Sequence, residues 1–143
     1  MARGRRAHRD VRYLTALDLL LDTHACLWWA TDPALLSTEA QSAIADAANA
    51  VWVSAASAWE LSINVRAGRL RLDVNGLFAQ LRQHGCGVLG IGIDDAVLAG
   101  ALEWAHRDPF DRMLAAQARR AGYALVTRDA QVLAFLGELA ISA

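Results

Sequence analysis

Residues 19–24 read Leu-Leu-Leu-Asp-Thr-His, and this stretch decides the fold class. Three consecutive leucines with no polar interruption read as a strand buried on both faces, unlike the alternating pattern of a half-exposed sheet. Directly afterwards the period changes: Ala25, Trp28 and Trp29 recur at helical spacing, Pro33 closes the turn, and Ser37 is placed to cap a helix over about 38–48. Working outward, the unit recurs. Val51-Trp52-Val53 reads as a second buried strand, followed by an alanine-rich helix through Trp59, Leu61, Ile63 and Val65 that stops at Gly68, and by a helix from about Val74 to His84. Val88 to Ile91 reads as a third strand. Asp94 is then expected to cap a helix with Val97, Leu98, Ala101 and Leu102 on one side. Pro109 and Asp111 open another helix, with Leu114, Ala118 and Ala121 inward and Gly122 at its end. Ala124-Leu125-Val126 is a fourth strand, Ala130 to Leu136 a last helix, and Leu139 to Ile141 a candidate fifth strand. Apolar strands alternating with helices specify an α/β domain with a parallel sheet and helices on both faces.

A length of 143 residues suits one domain with a real core. Apolar residues make up 55% and charged residues 20%, far from the composition of a disordered chain. The chain has fourteen arginines and no lysine, which excludes a P-loop and a protein-kinase site, since each needs a lysine on phosphate. Residues 1–13 hold five arginines against one aspartate, leaving nine arginines against fourteen acids in 14–143. An acidic body argues against a nucleic-acid binder that works by phosphate neutralisation alone, though not against one that meets phosphate through metal ions. Residues 1–13 lack periodicity. They are read as the core of a flexible basic arm spanning 1–17 ahead of a domain at 18–143, with a start at Val11 as the alternative. No apolar run reaches the length of a membrane span.

Beyond the carboxyl ends of the strands of an open α/β sheet lies the expected site, and four acids fall there. Asp22 ends the first strand, Glu60 lies on the helix after the second, Asp111 opens the helix before the fourth, and Asp129 follows the fourth. Each has a plainer reading: Asp22 and Asp129 serve equally well as helix caps, and Ser57, Glu60 and Asn64 at i, i+3 and i+7 form a stripe that suits a solvated face. Together, four carboxylates in one pocket repel one another unless a cation sits among them, and Mg²⁺ or Mn²⁺ with its preference for oxygen ligands fits that role.

Rival motifs are weaker. Gly85-Cys-Gly-Val-Leu-Gly90 enters a strand, whereas a dinucleotide loop leaves one. His24-Ala-Cys26 and His84-Gly-Cys86 lack the spacing of a structural zinc site, so Cys26 and Cys86 are read as core thiols. Trp28, Trp29, Trp52, Trp59 and Trp104 could stack on bases, but their spacing reads as core.

The sequence resembles the PIN domains of VapC-type bacterial toxins from Leu19 onward. The resemblance rests on Leu-Leu-Leu-Asp-Thr-His at 19–24 with Trp28-Trp29, Val-Ser-Ala-Ala-Ser-Ala-Trp-Glu at 53–60, His-Arg-Asp-Pro-Phe-Asp-Arg at 106–112 running into Ala115-Ala116-Gln117-Ala118, and Val-Thr-Arg-Asp at 126–129. It implies a PIN-like three-layer α/β/α sandwich whose parallel sheet of four to five strands has the order 3-2-1-4-5. It also implies a Mg²⁺-dependent endoribonuclease of the bacterial cytoplasm, neutralised by a small VapB-type antitoxin and paired as a homodimer. Carried over residue by residue, Asp22, Glu60, Asp111 and Asp129 are the catalytic acids, with Asp22 and Asp111 as metal ligands. Asp108 competes with Asp111 inside the same motif but reads as a turn and cap. Arg112 and Arg128, beside these acids, are candidates for phosphate contact or for plain solvation. Where relatives often carry lysine, this chain has Asn64, and its residues before Leu19 are more numerous than theirs. The alternatives are a catalytically silent PIN-like module that binds RNA or protein, and a DNA-directed nuclease.

Overall fold

A computed structural model describes residues 16–143; the arm expected over 1–17 and the start at Val11 lie outside them, apart from Ala16 and Leu17. Leu17 packs against the core, and its backbone N–H donates to Asn49 Oδ1 at 2.9 Å.

Five parallel strands, β1 (Asp18–Leu21), β2 (Ala50–Ser54), β3 (Gly87–Leu89), β4 (Ala124–Thr127) and β5 (Ala140–Ser142), form one sheet in the order β3-β2-β1-β4-β5, as the resemblance implies. The central strand β1 is fully buried from Leu19 to Leu21. Leu20 lies opposite Trp52 on β2 and Leu125 on β4, and period-2 alternation sends it to one face while Leu19 and Leu21 go to the other. Among the described residues seven α-helices cover these faces: α1 (Thr23–Thr31), α2 (Thr38–Ala45), α3 (Ala55–Arg66), α4 (Val74–Gln83), α5 (Ile93–Ala101), α6 (Pro109–Ala121) and α7 (Ala130–Leu136). Leu19, Leu21, Val53 and Val126 pack with Ala25, Leu77 and Leu81 of α1 and α4. On the opposite face, Leu20 and Leu125 pack with Ala99, Leu114, Ala118 and Val132 of α5, α6 and α7. Truncating one such leucine costs about 2–5 kcal/mol, from the lost transfer energy and the cavity left behind.

Several local expectations change. Helix α2 starts from Ser37 as read, since its hydroxyl accepts from Ala40 N–H at 3.0 Å. It stops at Ala45, however, where Asp46 turns the chain by accepting from Ala48 N–H. Strand β3 ends at Leu89 because the Gly90 carbonyl is taken by Gln117 Nε2 at 3.2 Å. Gly92, not Asp94, caps α5: the Asp95 carboxylate reaches back to the Gly92 N–H at 2.9 Å and pairs with Arg120 at 3.0 Å, which leaves Asp94 in the first turn. Val97 then points to solvent, and on α6 Ala121 is exposed beside the buried Leu114 to Ala118. Gly122 ends α6 in the left-handed region at φ +75°, where glycine has no Cβ to clash.

Candidate active site

After β1 the chain crosses to β2 on one side, while β4 pairs with β1 on the other, so the crevice above β1 and β4 is a topological switch point. Asp22 and Asp129 stand at its floor. Asp22 Oδ1 accepts from Ala25 N–H at 2.8 Å and caps α1; Asp129 Oδ1 accepts from Gln131 and Val132 N–H at 2.8 and 3.0 Å and caps α7. Asp108 Oδ1 accepts from Phe110 N–H at 2.9 Å and caps α6. The cap reading and the ligand reading are therefore compatible, because each carboxylate spends one oxygen on a helix and keeps the other.

The acids influence one another in a chain: Asp129 bears on Asp22 and on Asp111, Asp22 bears on Glu60, and Asp108 bears on both Glu60 and Asp111. Burial pushes the Asp22 carboxyl above its ordinary value, with Asp129 adding to the rise. Burial likewise raises Glu60, with Asp108 and Asp22 adding to it. Asp111 is pushed up to about 6 by burial, and by Asp108 and Asp129. Protonation is favoured in each case because the charged form loses water and meets like charges.

Hydroxyls and one imidazole offset this repulsion. Thr127, fully buried at the end of β4, accepts from Asp129 N–H through Oγ1 at 3.1 Å, which leaves its own hydrogen for Asp22. Thr23 donates to Ser57 at 3.1 Å beside Glu60. Ser57 is fully buried, so the stripe of Ser57, Glu60 and Asn64 turns into the protein at its Ser57 end and is not a solvated face. Helix α3 is less buried than its sequence suggests: Leu61 is enclosed, Glu60 is half-buried, and Trp59 and Ile63 are exposed.

His106 is the residue that sequence reasoning missed. Its Nε2 lies 2.7 Å from Asp111 Oδ2, and this bond is the main reason its own pKa is raised. The ring packs on Trp104, which stacks on Phe135 at 4.2 Å between centroids. One nitrogen of His106 and carboxylate oxygens of Asp108 and Asp111 lie within 4.8 Å of one another. A histidine inside the only motif with two aspartates three residues apart was the available signal.

Arg112 is turned into the fold and meets neither expectation, whereas Arg128 is exposed, as the solvation reading expects, and is also bonded to the fold. Arg112 donates to the backbone carbonyls of Ala99, Gly100, Leu102, Trp104 and His106, the strongest at 2.8 Å to Leu102 and Trp104. It thereby holds the segment that carries His106. Arg128 reaches the carbonyls of Leu35 and Ala143 and lies 4.3 Å over the Trp28 ring. Both guanidinium groups are engaged with the fold.

The donor set suits a hard divalent cation. Its freely available atoms are carboxylate oxygens, and a bound cation relieves the mutual repulsion that raises Asp22, Glu60 and Asp111. Cys26 and Cys86 take no part. Both are buried, and burial pushes their thiols up, Cys86 to about 11. Among the described residues no helix is long and apolar enough to cross a membrane.

Comparison with known proteins matches the PIN domain family over residues 19–135. Ribonuclease VapC22 of Mycobacterium tuberculosis (strain ATCC 25618 / H37Rv) is 35% identical over 116 residues, covering 78% of this chain and 86% of the relative. Among solved structures, a toxin–antitoxin complex from Klebsiella pneumoniae superposes with a TM-score of 0.61 at 16% identity, covering 87% of this chain and 96% of the other. VapBC2 from Rickettsia felis, bound to a DNA fragment from its promoter, gives 0.61 at 14% identity, covering 88% and 98%. FitAcB from Neisseria gonorrhoeae gives 0.57 at 23% identity, covering 87% and 96%.

Proposed function

The chain belongs to the PIN domain family, and on that footing we propose that it is a metal-dependent endoribonuclease, the toxin of a VapBC-type pair. One observation supports the reading: Asp22 and Asp129 cap the helices that leave the adjacent strands β1 and β4, and burial, then like charge from neighbouring acids, raises Asp22, Glu60 and Asp111 alike. Groups so perturbed in a crevice mark functional sites. The relative named a ribonuclease supports the choice of RNA over DNA.

Asp22 and Asp111 are the residues to hold Mg²⁺ or Mn²⁺: Asp22 keeps one carboxylate oxygen beyond its helix cap, and Asp111 keeps one beyond its bond to His106. The cation, when bound, offsets the charge that builds on a phosphodiester under attack and acidifies water. Glu60 and Asp129 orient the attacking water, and the raised pKa of Glu60 suits it to take the proton. Thr127 steadies the Asp22 carboxylate between turnovers. His106 holds Asp111 in place until the cation arrives.

An acidic crevice of this kind fits an inhibitor that presents a basic side chain, best an arginine for its bidentate match to carboxylate. The VapBC2 complex among the structural neighbours supports a VapB-type antitoxin as that inhibitor, and the family resemblance implies a toxin homodimer. Co-expression with the adjacent small open reading frame tests this: a stable complex and relief of growth arrest are expected, and the absence of both rejects the toxin class.

The catalytic reading is tested on total RNA and on single-stranded DNA. Cleavage of RNA is expected with Mg²⁺ or Mn²⁺ and not with EDTA. Asp22→Asn and Asp111→Asn should each abolish it with the fold intact, and Asp108→Asn should weaken it less. Undiminished cleavage by both of the first two variants overturns the assignment, and cleavage of DNA alone favours the DNA-directed alternative.

A further inference from the structure

Four of the five tryptophans are partly buried, as their spacing suggests, but Trp59 is 61% exposed. It directly precedes Glu60 on α3. Its ring meets Phe110 edge-on, with centroids 5.2 Å apart and planes at 73°, and Phe110 in turn lies between Asp108 and Asp111. The two rings thus bridge the helices that carry the acidic site, at its rim. We propose that Trp59, braced by Phe110, is a stacking platform for a nucleobase of single-stranded RNA next to the phosphate held at the acids.

Three observations support this occupant. An exposed indole forgoes the burial that makes tryptophan valuable in a core, so its position is costly unless something covers it. The contact with Phe110 holds the ring in one orientation, which reduces the ordering cost of binding a flat partner. Finally, the body is acidic, and Arg112 and Arg128 are engaged with backbone carbonyls, so a base contact supplies affinity that these two guanidinium groups do not. Base stacking on an aromatic ring needs no positive charge and tolerates any base. This inference rests on the ribonuclease reading and adds a residue that selects the substrate.

The test compares binding of labelled oligo(A) RNA with that of an abasic ribose-phosphate strand of equal length, by fluorescence anisotropy with Ca²⁺ in place of Mg²⁺. Wild-type protein should prefer oligo(A) about tenfold. Trp59→Ala should lose that preference with an unchanged melting temperature, and Trp59→Phe should keep most of it. Preserved preference in Trp59→Ala overturns the proposal. So does an equal loss for both strands, or a change confined to self-association or antitoxin capture, which would make the ring a protein contact. Binding with the expected preference but no cleavage of any RNA in Mg²⁺ rejects the ribonuclease reading and upholds the platform. Failure of wild-type protein to prefer oligo(A) rejects the platform whatever its activity.

Discussion

His106 Nε2 sits 2.7 Å from Asp111 Oδ2, with both side chains largely shielded from solvent. The bond favours the charged form of each partner, and for Asp111 it is the largest influence opposing burial. His106→Ala should therefore raise the Asp111 titration above about 6 in metal-free protein. Carbon NMR of the labelled carboxyl reads this directly, and an unchanged or lowered midpoint contradicts it.

The raised carboxyls also set how metal binding depends on pH. Because Asp111 titrates at about 6 when folded against 3.8 ordinarily, the metal-free native chain holds protons that the unfolded chain has released. Its stability contribution is present at low pH and is lost as pH rises through about 6. A cation would need the ionised carboxylate, so its binding should strengthen at higher pH. The rise in melting temperature caused by saturating Mn²⁺ over EDTA should grow from about pH 5 to about pH 7. A gain that is flat or shrinks across this range refutes the coupling.

Arg112→Lys should fail to replace the native residue. A single ammonium cannot span the carbonyls from Ala99 to His106 that the guanidinium fork reaches. Loss of bonds to a charged donor implies at least about 2 kcal/mol of destabilisation. Urea unfolding measures this, and hydrogen exchange should show faster opening at residues 102–107 than in β1. Wild-type stability in this variant would show that the arginine is mere surface.

Gly87 starts the edge strand β3 beneath Trp52, and a Cβ there would lie 2.5 Å from Trp52 Cε3. Trp52 is held by its Nε1 donating to Asp18 Oδ1 at 3.0 Å and by stacking on Tyr123. Gly87→Ala should thus cost about 1–3 kcal/mol through forced repacking, with the Trp52 environment visibly altered in near-UV circular dichroism. A neutral effect would mean that β3 shifts freely.

The sequence by itself determined the alternation of strands and helices and the cap at Ser37, and it singled out Asp22, Glu60, Asp111 and Asp129 as candidates without choosing between cap and ligand. These signals are local: a run of leucines, a change of hydrophobic period, or a short polar residue ahead of a helix is legible within a few positions. Tertiary structure decided which of two compatible roles a side chain takes. Arg112 and Arg128 satisfy carbonyls as distant in sequence as Ala99 and Leu35, and no spacing rule encodes a partner that the chain path alone brings near. For the same reason α3 shows Trp59 to solvent while enclosing Ser57, since helical periodicity gives the angle between two faces but not which neighbour covers each. His106 found Asp111 across a turn, and the charge state of the whole cluster follows from burial, a property that exists only once the chain has folded.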